Sequence, residues 1–180
     1  MVIQPKIAIV LVATNDFTGR LVRWADNSKI NHAMLVYEDE LWTGFWKAEA
    51  LFKEGVVRPP FDPDDPRYER MEFFVYRGDP SVGLPKLRWT IGADYDYKGA
   101  VLGTIRLIIR KITGKMSDAS IHDHKKLFCF EFVINYLHNL RAAGAERLIP
   151  ENTSPAMLRE WLIEHEDFQQ MSIEQFMEDV

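Results

Sequence analysis

The segment Ile7-Ala8-Ile9-Val10-Leu11-Val12 is apolar at every position, and four of its six residues are β-branched. A run of that length and composition fits a buried strand rather than a helix. It obliges the rest of the chain to cover it. With 180 residues there is enough chain for roughly one domain, and we expect a single domain over 1–180. Lys6 followed by this run looks superficially like a short secretory leader. Pro5 interrupts the approach, however, and no small-x-small cleavage site comes before Asn15 and Asp16, so the strand is the expected reading. No stretch approaches the ~20 apolar residues of a membrane span. Cytoplasmic localisation is therefore expected.

The apolar pattern then changes period. Phe17, Leu21 and Trp24 stand at i, i+4 and i+7, one face of a helix over 16–26 that Gly19 weakens. A second strand follows over 32–37, and Glu38-Asp39-Glu40 is expected to end it as a solvated turn. Further strands are expected over 45–52, 56–58 and 71–77, with Pro59-Pro60 stopping the fourth. Loops are expected over 63–66 and 78–85, and the signal from 84 to 95 is weak. Val101, Leu102, Ile105, Ile109 and Ile112 give a helix over 97–113 one apolar side, closed by Gly114. The strongest helical signal covers 125–143, striped by Phe132, Val133, Tyr136, Leu137 and Leu140 and stopped by Gly144. Ser154-Pro155 reads as an N-cap and first helical residue, with Met157, Leu158, Trp161 and Leu162 as the buried face. Ser172 and Gln175 form a capping box for one more short helix. Strands first and helices later argue an α+β class.

The formal net charge is −5, which disfavours general binding to nucleic acid, whose affinity rests on excess Lys and Arg. The single cysteine, Cys129, excludes an intramolecular disulfide and a cysteine-based zinc site. It falls in the first turn of the 125–143 helix. The partial positive charge and unpaired N–H groups there favour a thiolate and can hold an oxyanion. Cys129 also shares the apolar stripe of Phe132 and Val133, and a free cysteine is often a small buried hydrophobe. Both readings stand on the residues alone.

A cysteine nucleophile needs a base, and the base needs an orienting group. His32 opens a strand at the rim of a sheet, with Met34 and Val36 on its face. Glu49 lies inside an apolar strand, where a carboxylate is costly unless paired. It is placed to fix the tautomer of His32. Lys47 shares its face, and charged strand residues usually face water, so Glu49 by itself is expected to face solvent. His122 and His124, with Asp118 and Asp123, hint at a metal, but the spacing matches no metal motif and a solvated loop is expected. His138 and His165 read as surface residues. No metal or organic cofactor is indicated.

Taken in order, four segments resemble a known family. They are Asn31-His32-Ala33-Met34-Leu35-Val36; Ala48-Glu49-Ala50 with Gly55-Val56-Val57; Gly92-Ala93-Asp94-Tyr95-Asp96-Tyr97; and Phe128-Cys129-Phe130-Glu131-Phe132-Val133. Together they look like the circularly permuted NlpC-type, YiiX-like cysteine amidases. The resemblance implies a permuted papain-like fold, an antiparallel sheet packed against helices with the nucleophile at a helix N-terminus. It implies Cys129 as nucleophile, His32 as base and Glu49 as orienting group, with Tyr95 beside the nucleophile at the oxyanion site. Phe130 departs from the pattern, standing where the family commonly has a small residue. The implied activity is a cysteine hydrolase cleaving an amide bond of a peptide or cell-wall peptide. An acyltransferase or thioesterase on acyl lipids uses the same triad, and the third expectation is a binding domain without catalysis. Trp42, Phe45, Trp46 and Phe52 are candidates to line an acyl pocket, and core is their simpler role.

Overall fold

The computed structural model describes residues 6–39, 42–115, 126–150 and 152–178. Strand β1 (Ile7–Thr14) is followed by α1 (Phe17–Asp26), β2 (His32–Asp39), β3 (Trp42–Leu51), β4 (Gly55–Val57) and β5 (Tyr68–Tyr76). A short 3₁₀ turn over Pro80–Val82 leads to α2 (Leu84–Thr90) and β6 (Asp94–Tyr95). Then come α3 (Tyr97–Thr113), β7 (Lys126–Leu127), α4 (Cys129–Leu140), a second 3₁₀ turn (Ala145–Arg147), α5 (Pro155–Glu164), β8 (Phe168–Met171) and α6 (Ile173–Glu178). Six strands form one sheet in the order β4-β3-β2-β1-β5-β8, every neighbouring pair antiparallel. β6 and β7 form a separate parallel pair. The class is α+β.

The unbroken apolar run of β1 is explained by its position inside the sheet. Ile7, Ile9 and Leu11 join one core, with Leu35, Phe74, Phe132, Val133 and Leu137. Ala8, Val10 and Val12 face the other, with Met34, Val36, Phe73 and Phe176. Alternate side chains point to opposite faces, so a strand covered on both sides can carry no polar alternation. Helix α4 packs across β2 and β3 within the first core. The second face is closed by Phe61, from the proline-rich connection, and by Phe176 of α6, whose ring lies 4.7 Å from Phe45 and 5.4 Å from Phe73.

Several elements depart from the sequence expectation. β2 runs on through Glu38 and Asp39 instead of ending in a solvated turn. Asp39 is buried and meets Arg58 at 3.3 Å and Arg88 at 3.5 Å. Those partners lie far along the chain, so no local pattern announces them. The weakly patterned stretch forms α2, with Pro85 in its first turn. β8 was not expected; it adds the C-terminal region to the sheet edge beside β5, so strands do not all precede helices. The 125–143 helix is shorter at both ends. Lys126 and Leu127 pair with Asp94 and Tyr95, and Arg141 takes a left-handed cap at φ 57° three residues before Gly144. Met157, expected on the buried face of α5, is exposed, while Leu158 and Leu162 are buried. The capping box of α6 is present, Ser172 and Gln175 exchanging hydrogen bonds of 3.0 and 3.2 Å. Among the described residues, no helix is long and apolar enough to cross a membrane.

Candidate active site

Cys129 is the first residue of α4. Phe128 precedes it in extended conformation and makes no side-chain cap, so the opening N–H groups of the helix have no intrahelical acceptor. The β6–β7 pair fixes this entry, placing Tyr95 opposite Leu127, two residues before the cysteine. The thiol is nearly buried.

His32 is the first residue of β2. Alternation puts it on the face of Met34 and Val36, and the antiparallel register sets Met34 opposite Glu49. His32 and Glu49 are therefore diagonal neighbours on one face, a spacing that long side chains bridge. The His32 Nε2 to Glu49 Oε2 distance is 3.2 Å. With Nε2 so engaged, Nδ1 is the ring nitrogen left for a second partner, and Cys129 lines the same recess as His32. Burial opposes a charged ring. Cys129 and then Glu49 outweigh that opposition, so His32 holds its proton well above the usual imidazole range.

Glu49 is fully buried, contrary to the solvent-facing position expected of a charged strand residue. Lys47 does share its face, but that face is covered, and Lys47 is buried as well. Four donors surround the carboxylate. They are His32, Lys47 Nζ at 3.0 Å from Oε1, Arg67 Nη2 at 3.3 Å, and the Tyr68 hydroxyl, which donates to Oε2 at 2.9 Å. Lys47 in turn donates to Tyr68 at 2.8 Å and to Asp65 at 3.1 Å. Burial pushes the Glu49 carboxyl up, but the hydrogen bond and charge of His32, followed by Lys47, hold it below the usual carboxylate range. Nothing in the sequence marks Asp65, Arg67 and Tyr68 as partners of Glu49. The only local signal was a polar D-P-R-Y stretch after a proline-rich loop, which reads equally as solvated surface.

Tyr95 lines the same recess as Cys129. Burial, then the charges of Cys129 and Asp96, raise its hydroxyl well above the ordinary tyrosine range, so it remains a hydrogen-bond donor. Asn31 braces the rim beside His32. Its side chain accepts from Thr14 N at 2.9 Å and donates to Thr14 Oγ1 at 2.7 Å. Helix α1 passes directly over this pair at Gly19, where a Cβ would collide with both Thr14 Oγ1 and Asn31 Nδ2. The glycine that weakens the helix thus permits its close approach.

Beside Cys129 and His32 opens a cavity of about 1130 Å³. Leu21 and Val22 of α1, Phe52, and Val101, Leu107 and Ile108 of α3 contribute its apolar walls. Phe52, one of the four aromatic residues considered for an acyl pocket, lines it and stacks edge-on against Tyr97 at 4.6 Å. Phe45 and Trp46 instead pack against the two cores. His122, His124, Asp118 and Asp123 lie outside the described residues. Among the described residues, no cluster of three or more potential metal ligands occurs. His138 is exposed as expected, its Nε2 meeting the carbonyls of Ala145 and Leu148 at 2.8 and 3.1 Å. His165 is half-buried, in ring contact with Trp161 at 4.4 Å. No protein-family model and no curated protein sequence matches this chain.

Proposed function

We propose that this protein is a cysteine hydrolase acting through an acyl-enzyme on Cys129, His32 and Glu49, in a permuted papain-like fold. One observation carries the reading: His32 lies 3.2 Å from a fully buried, multiply hydrogen-bonded carboxylate and lines one recess with the thiol at the start of α4. Chain order agrees with a permuted relative, with the histidine strand first, the carboxylate strand next and the cysteine helix last. The Cys129 thiolate, its proton held by His32, attacks an amide or ester carbonyl and forms a C–S bond. The oxyanion accepts hydrogen bonds from the backbone N–H groups opening α4 and from the Tyr95 hydroxyl. Collapse of the intermediate breaks the bond to the leaving group, which takes the proton from His32. Water, deprotonated by His32, then attacks the thioester and releases the acid and the thiol.

Alkylation of Cys129 by iodoacetamide at pH 6 tests the ion pair. The wild type is to react at least ~10-fold faster than a cysteine peptide, and His32→Ala is to remove the difference. Hydrolysis of a peptide p-nitroanilide or a p-nitrophenyl ester by His32→Ala is to fall on the order of 10²-fold or more in kcat/KM. Labelling no faster than the free peptide, or unchanged in His32→Ala, would falsify the proposal.

The apolar cavity favours a second reading, in which the acyl group is a lipid chain and the acceptor is water or another nucleophile. Dodecanoyl and dipeptidyl p-nitrophenyl esters separate the two, by mass spectrometry of the adduct on Cys129. Accumulation of the dodecanoyl thioester supports the lipid reading; acylation by the dipeptide alone sinks it.

A further inference from the structure

Helix α3 leaves one apolar stripe uncovered. Tyr97, Val101, Ile105, Ile109 and Ile112 follow i, i+4 and i, i+3 spacings and all are exposed, Val101 by 56% and Ile112 by 74%. No residue of this helix is buried. A soluble helix normally turns such a stripe inward, and contiguous exposed apolar surface marks an interaction site. The charge of the segment is equally one-sided. Residues 97–115 contain Lys98, Arg106, Arg110, Lys111 and Lys115 and not one acidic residue, in a chain whose net charge is −5. At 100° per residue Lys98 falls within the exposed arc, with Arg106 and Lys111 on its two flanks. The neighbouring helix α1 adds Phe17 and Trp24, 81% and 55% exposed.

We infer that α3 is an interfacial helix that docks the protein on an anionic lipid surface. An apolar stripe with basic flanks lies in the plane of the headgroups, burying its apolar side at the acyl boundary while Lys and Arg meet lipid phosphates. At 17 residues, α3 rests on a bilayer and does not span it. In a two-fold dimer a second copy would cover the apolar stripe but set these basic residues against their own counterparts; an anionic membrane matches both the stripe and the charge. Val101 and Ile105 belong to the exposed stripe and to the cavity lining as well, so the recess opens beside the docking face. Docking needs no turnover and is independent of whether Cys129 reacts.

The test is flotation of the full chain with vesicles of phosphatidylcholine containing 30% phosphatidylglycerol, against pure phosphatidylcholine. The wild type is to float with the anionic vesicles, less so in 0.5 M than in 0.1 M salt, and at least ~10-fold more weakly with the neutral ones. Ile109→Glu/Ile112→Glu and Lys98→Gln/Lys111→Gln are each to lose at least ~10-fold in partitioning. None of these four side chains lines the cavity, so hydrolysis of a water-soluble p-nitrophenyl ester and the thermal melt are to stay at wild-type values. Wild-type protein that remains with the unbound fraction overturns the inference, as does undiminished flotation of the double isoleucine variant. A dimer in sedimentation that Ile109→Glu/Ile112→Glu converts to monomer, with no flotation of either protein, would assign the face to a second copy.

Discussion

At the scale of single residues, Glu49 is the hinge of the site. A buried carboxylate is tolerable only when its lone pairs and charge are matched, and here imidazole, ammonium, guanidinium and phenol all converge on it. Glu49→Gln removes the charge and keeps the shape. His32 then loses one of the groups holding its proton, so the alkaline limb of kcat/KM against pH moves down toward the ordinary histidine value of 6.5. Stability follows with a definite sign. The raised His32 contributes stability that is complete below pH 6.5 and disappears as pH climbs through its raised value. The lowered Glu49 contributes stability that is complete above pH 4.5 and disappears as pH falls through its lowered value. The excess stability of wild type over Glu49→Gln, measured by urea unfolding, is therefore largest between those two pH values and shrinks on either side. An excess that does not vary with pH would contradict this assignment. Cys129 and His32 stood out in the sequence because residue type and position in an element were enough to flag them. The environment of Glu49 was invisible, because Arg67 and Tyr68, which make burial affordable, arrive from beyond a proline-rich turn.

At the scale of elements, the site depends on how closely α1 approaches the rim of the sheet. Gly19→Ala places a methyl group where Thr14 Oγ1 and Asn31 Nδ2 now lie. Helix propensity alone predicts a gain of about 1 kcal/mol for replacing a glycine inside a helix. The collision predicts the reverse, a loss of about 1–3 kcal/mol typical of overpacking, together with slower Cys129 alkylation as Asn31 shifts beside His32. Chemical denaturation decides the sign, and net stabilisation would show that α1 moves freely. The same contrast explains what sequence pattern conveyed about elements. Periodicity located α1, α3 and α4, but it could not say which apolar stripes face inward. The stripe of α4 is buried and that of α3 is not. β8 escaped notice because an edge strand reading Phe-Gln-Gln-Met buries only its phenylalanine.

For the molecule as a whole, β1 is the wall shared by two cores. Leu11 belongs to the first and its neighbours Val10 and Val12 to the second. Leu11→Ala is expected to cost about 2–5 kcal/mol while unfolding remains a single transition, because the sheet couples both sides. Two separated transitions, or a cost below ~1 kcal/mol, would show that the cores melt independently. The α+β class was legible from β1 and the later helices, whereas the sheet order was not, since strand pairing across long separations leaves no mark in a local window. The β6–β7 pair is the smallest element of the fold, only two residues on each side. It nonetheless ties the residues that lead into α3 to the residues that lead into α4 at one narrow clasp. Side-chain changes along α3, which lines the recess, leave that clasp, the register of β2 and β3 and the start of α4 in place. Substrate preference can thus diverge among descendants of such a scaffold while the reacting atoms keep their places.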